Sequence, residues 1–112
     1  MMARDPLILQ EVKAVLAQVS ALAPGNSVEL RIPPYAAIQC VAGPKHTRGT
    51  PANVVEMAAD SLFELCAGTL DWSVAISDGR ISASGERSDL SGLFHELAGF
   101  FDQSGWKHRI AE

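Results

Sequence analysis

The stretch Val28-Glu29-Leu30-Arg31-Ile32-Pro33-Pro34 constrains the fold more than any other part of the chain. Its apolar and polar residues alternate with a period of two, so Val28, Leu30 and Ile32 share one face of an extended strand while Glu29 and Arg31 share the other. A sheet built on such a strand has one buried face and one wet face. Pro33 and Pro34 have no N–H to donate and end the ladder. The run from Tyr35 to Val41, apolar except for Gln39, then returns as the second strand of a hairpin with an irregular turn.

Segments of helical period flank this hairpin and supply what the buried face packs against. Ile8, Val12, Val15, Leu16, Val19 and Leu22 recur at helical spacing behind Asp5 as N-cap and Pro6 at the first helical position, and Pro24-Gly25-Asn26 is the stop. Beyond the hairpin, Gly43, Pro44, Gly49 and Pro51 break any regular element before Val54-Val55-Glu56-Met57 resumes a short strand. Asp60 or Ser61 is the expected cap of a helix carrying Leu62, Phe63, Leu65 and Cys66 and ended by Gly68. Asp71 caps a second short helix with Trp72, Ala75 and Ile76, which Gly79 ends. Arg80 to Ser84 alternates as a strand with Ile81 and Ala83 inward. A last helix from about Asp89 to Asp102 carries Leu90, Leu93, Phe94, Leu97, Phe100 and Phe101 on a broad apolar face. With 112 residues, 47% of them apolar, and no repeat or low-complexity linker, residues 1–112 are expected to form one α+β domain. Its core spans about 27–102, preceded by an amphipathic helix over 6–22.

A net charge of −4 argues against a general attraction to nucleic acid or anionic lipid. The first residues lack a basic run followed by an apolar stretch, and no segment reaches 18 consecutive apolar residues, so the expectation is a cytoplasmic, non-membrane protein. Cys40 and Cys66 fall inside apolar elements, where free cysteine behaves as a small hydrophobe, and a disulfide is not expected. Cys40, His46, Cys66, His95 and His108 show no C-x-x-C or H-x-x-x-H spacing, so neither a metal nor any other cofactor is expected.

The segment Ala67-Gly68-Thr69-Leu70-Asp71-Trp72, followed by Ala75, Ser77-Asp78-Gly79-Arg80-Ile81 and Gly85-Glu86, resembles the C-terminal half of sterol carrier protein 2 domains. Upstream, Val28 to Tyr35 and Gly43-Pro44-Lys45-His46-Thr47-Arg48-Gly49-Thr50-Pro51 resemble the bacterial sterol-carrier-like branch. The resemblance covers roughly residues 27–95 and departs from the family's usual aspartate at Glu86, a chemically mild change. It implies a four- to five-stranded, mostly antiparallel sheet covered on one face by helices, with an apolar cavity for lipid-like ligands and no catalytic residues. Four strands can be read from the residues themselves.

Two readings of the apolar residues stand side by side. Phe63, Trp72, Ile76, Leu90, Phe94 and Leu97 either line a pocket between helices and sheet or fill an ordinary close-packed core. The loop residues Lys45, His46, Thr47 and Arg48 either hold an anionic head group through charge-assisted bonds or form a solvated turn. An enzymatic reading needs Cys40 to be activated by His46, and at six residues of separation across a strand and a loop the two need not meet. The functional expectation is non-enzymatic binding of a lipid or other apolar small molecule. The alternative is an interaction or homodimerisation module, if Phe94, Phe100 and Phe101 exceed what one core can bury.

Overall fold

A computed structural model describes residues 5–43 and 53–105. Among these residues four helices and four strands follow in the order α1 (Pro6–Leu22), β1 (Val28–Ile32), β2 (Ala36–Cys40), β3 (Val54–Met57), α2 (Ala59–Ala67), α3 (Trp72–Ser77), β4 (Ile81–Ser84) and α4 (Ser91–Ser104). The strands form one sheet in the order β2-β1-β3-β4. The β1–β2 and β3–β4 pairs are antiparallel and the central β1–β3 pair is parallel, so the sheet is mixed. The parallel pair follows from the path of the chain. It returns along β2, which brings it back to the end of the sheet where β1 began, and β3 starts there on the other side of β1.

The register extends the alternation of β1 across the whole sheet. Val28 lies opposite Cys40, Leu30 lies between Ile38 and Val55, Val55 pairs with Ala83, and Met57 with Ile81. These residues form the inner face. On the outer face Glu29, Arg31, Gln39, Glu56, Ser82 and Ser84 are exposed or half-buried, and Arg31 Nε donates to the Glu29 carboxylate. The described helices cover the inner face. α1 packs against β2 and against α2 and α4, and α3 packs beside β4. A single buried cluster joins Val12, Val15, Leu16 and Val19 of α1 to Leu30, Ile32, Val55, Leu62, Leu97 and Phe101.

Local chemistry fixes the ends of the elements. Asp5 Oδ1 accepts from the Leu7 and Ile8 amides, and Pro6 opens α1. Gly25 sits at φ 146°, and a Cβ there would meet the Val41 carbonyl oxygen at 2.2 Å, so no other residue fits this crossing. Val41 has φ 68°, which takes it out of the strand and shortens the expected Tyr35–Val41 run to Ala36–Cys40.

Two helix starts differ from expectation. Neither Asp60 nor Ser61 caps α2. The helix begins immediately after β3, with Ala58 at the N-cap and its carbonyl accepting from the Leu62 amide at 3.1 Å. Asp60 therefore lies in the first turn, accepting from the Ser61 amide at 2.8 Å, and Ser61 is buried. The last helix starts at Ser91 and runs to Ser104, because Asp89 lies one position outside the Leu90 N-cap and takes the Ser91 amide at 3.0 Å.

Candidate functional site: a cleft between the α2–α3 turn and α4

Gly68 ends α2 in the left-handed conformation at φ 77°, which turns the chain sharply towards α3. The Glu64 carbonyl accepts from the amides of Thr69 and Leu70 at 3.0 and 3.3 Å and holds this turn closed. Asp71 then caps α3, its Oδ2 accepting from the Val74 amide at 3.1 Å, and the cap sets Trp72 as the first helical residue. The turn runs close to α4, since a Cβ on Gly68 would lie 3.9 Å from that of Ala98.

On α4, Ser91, Phe94, His95 and Ala98 fall at offsets of zero, three, four and seven, one stripe of a helix. This stripe faces the turn across a cleft of about 480 Å³, lined also by Leu65, Leu70, Asp71 and Trp72. The Trp72 and Phe94 rings stack with centroids 5.9 Å apart and planes at 21°. Leu65 and Phe94 are buried and Leu70, Trp72 and Ala98 half-buried, whereas Thr69, Asp71, Ser91 and His95 are exposed. The apolar side chains thus form the depth of the cleft and the polar ones its mouth.

The six residues expected at a pocket do not all meet there. Trp72 and Phe94 line the cleft. Leu90 and Leu97 are buried in the main cluster, Leu97 with no exposed surface, because they lie on the side of α4 turned to the sheet. Phe63 is half-buried against the same cluster. Ile76 is 38% exposed on α3. Of the three phenylalanines on which the alternative interaction-module reading depends, Phe94 and Phe101 are buried and Phe100 is 42% exposed. A core that draws on α1 as well as on the sheet has room for both.

Lys45, His46, Thr47 and Arg48 lie outside the described residues. Ser27 ties the two sides of this segment together, its Oγ donating to the Val41 carbonyl at 2.7 Å. Asn53 is buried; its Nδ2 donates to the Ser27 carbonyl at 2.7 Å and its Oδ1 accepts from the Arg87 amide at 2.9 Å. None of Ser27, Asn53 and Arg87 lines the cleft.

Burial pushes the Cys40 thiol up to about 11 and the Cys66 thiol up to about 12, so neither ionises readily near neutrality. Among the described residues no three His, Cys, Asp or Glu side chains come together as metal ligands. No helix among them is long and apolar enough to cross a membrane.

The model of the family described as "Bacterial SCP ortholog", SCP standing for sterol carrier protein, matches residues 5–95. The chain belongs to this family. The match takes in α1 and the whole sheet, and it runs through the α2–α3 turn to His95, so nearly all of the cleft lies within it. No curated protein matches the chain. Sequence reasoning missed Leu65, Gly68, Thr69, Leu70, Asp71, Ser91, His95 and Ala98 as lining residues. The available signal was the four-residue stripe on α4, a mixed small, polar and aromatic face beside the purely apolar one.

Proposed function

We propose that this sterol-carrier-like protein binds an apolar small molecule of the sterol or lipid kind in the cleft between the α2–α3 turn and α4, without transforming it. The observation that carries this reading is the stacked Trp72–Phe94 pair in a cleft of about 480 Å³ whose apolar groups lie deep and whose polar groups lie at the mouth. Small-ligand sites have this organisation and volumes of roughly 300–1,000 Å³. Membership of a sterol-carrier family supports the same reading. The buried, weakly acidic thiols of Cys40 and Cys66 argue against nucleophilic chemistry at either one.

The uncharged dye Nile red tests the proposal. It is expected to bind with a blue-shifted emission, and binding should weaken at least about tenfold in Ala98→Trp, which fills the cleft from an α4 position that is only half-buried. Equal binding to Ala98→Trp, or none to the native protein, would remove the cleft as the site.

A further inference from the structure

We propose that a second hollow, on the outer face of the sheet, binds a small zwitterion of the α-amino-acid kind, its ammonium held by Glu56 and its carboxylate by Arg80. The hollow has a volume of about 280 Å³ and shares no lining residue with the cleft. It lies where β1 and β3 end and β4 begins, with Pro33, Glu56, Ala58, Arg80 and Ser82 around it. Gly43 and Asn53, which bound the segment outside the described residues, stand at the opposite end of the sheet, where Val28 pairs with Cys40 and Val54 with Ser84.

The strand register brings three unlike polar groups together. Glu56 pairs with Ser82 across β3 and β4, which sets their Cβ atoms roughly 5 Å apart on one face. Arg80 stands two residues before Ser82 and is a diagonal neighbour of Glu56, at roughly 7–8 Å. Glu56 and Arg80 carry opposite charges and line one hollow, yet they form no ion pair. Arg80 turns instead to α2, where its Nη2 donates to the Glu64 carboxylate at 2.8 Å. Among the described residues, its Nε and Nη1, the Glu56 carboxylate and the Ser82 hydroxyl have no hydrogen-bond partner. Arg31, opposite Glu56 on β1, donates to Glu29.

A ligand of one charge answers only half of this lining. An anion would meet Glu56, and Glu64, Asp60 and Asp78 already act on the charge of Arg80. A plain cation would meet the guanidinium. An ammonium and a carboxylate on one carbon satisfy both, the ammonium donating to Glu56 and Ser82 and the carboxylate accepting from the open edge of the Arg80 fork. An α-amino acid is short enough to bridge groups at that spacing with a hydrogen bond of about 2.9 Å at each end. Pro33 and Ala58 give a small side chain an apolar wall. The volume is at the low end for ligand sites and suits a molecule of few non-hydrogen atoms.

Three probes share a branched tail and differ in their charged groups: L-valine, isobutylamine and 3-methylbutanoate. Each is titrated into the ¹⁵N-labelled full chain and followed at the Met57, Arg80 and Ser82 amides. L-Valine is expected to bind at least about fivefold more tightly than either of the others. Glu56→Gln and Arg80→Gln change side chains at the surface, where an ion pair such as Arg80–Glu64 contributes little to stability, so both variants should fold. Each should weaken L-valine binding at least about fivefold. Binding of isobutylamine or 3-methylbutanoate as tight as that of L-valine would overturn the zwitterion. Undiminished binding in either variant would overturn the role of that residue. No saturable shift at these amides with any probe would overturn the site itself.

Discussion

The half of the molecule where α1 meets the sheet and the end where α2, α3 and α4 meet treat their apolar residues differently. Val12, Val15, Val19, Val28, Leu30 and Ile32 are almost wholly removed from solvent. Leu70, Trp72 and Ala98 keep part of their surface open around a cleft of about 480 Å³. The first region is assembled from β-branched and leucine side chains at regular spacing, which close-pack. The second joins a glycine-ended turn to a helix stripe of mixed size and polarity, which does not. A small domain buries a modest fraction of its surface, so it can leave one region open only if the other is closed tightly. Stability and binding should therefore respond to mutations in different places.

The largest effect is expected at the closed region. Leu30→Ala removes a fully buried side chain from the middle of the sheet and should lower the unfolding free energy by about 3–4 kcal/mol in urea titrations, with probe affinity unchanged in the protein that remains folded. A change in affinity as large as the change in stability would mean that the two regions are not separable. Asn53→Ala should cost about 2 kcal/mol, because it strands the Ser27 carbonyl and the Arg87 amide together, and it too should leave binding untouched.

The thiols sharpen the contrast through pH. Both are raised above the value of an unfolded thiol, so the native state holds their protons longer; stability is complete below about pH 8.5 and falls as pH rises towards about 11 for Cys40 and about 12 for Cys66. A loss of about 1 kcal/mol between pH 8 and pH 9 is expected, steepening above pH 9 and reduced in a Cys40→Ala/Cys66→Ala variant. Cys66 lies on α2, the helix that leads into the cleft, and rapid labelling of Cys66 at neutral pH would reveal that the cleft opens into the core.

The smallest effect belongs to the cleft itself. Asp71→Ala removes the cap of α3 and should cost about 1 kcal/mol by thermal or urea unfolding, against a few tenths for Asp71→Asn. A cost of several kcal/mol would show that the turn is part of the closed core.

How legible each region was follows the same division. The alternation from Val28 to Ile32, the Asp5-Pro6 start of α1, the Asp71 cap and the Gly68 stop are local patterns, and the structure places each where its pattern puts it. The start of α2 was misread because an N-cap side chain is a preference, and Ala58, the lone residue between β3 and α2, fills the position without one. The cleft was only partly legible for a different reason. An apolar stripe announces that Leu90, Phe94 and Leu97 are covered, but it does not say by what. Phe94 turns to Trp72, while Leu90 and Leu97 join the main core. That choice depends on where the Gly68–Trp72 turn lands on α4, a contact between segments about twenty residues apart that no short pattern encodes. The parallel β1–β3 pair is likewise a property of the path between strands.

The central claim is that the open cleft, and no space within the core, receives the ligand. Amide chemical-shift mapping of the ¹⁵N-labelled protein during titration with 2-naphthylmethanol tests it most directly. The account predicts the largest shifts at Thr69, Leu70, Trp72, His95 and Ala98, with Val15, Leu30 and Val55 unmoved. Shifts concentrated at Leu30, Val55 and Leu97 would contradict it, as they would put the ligand between the helices and the sheet.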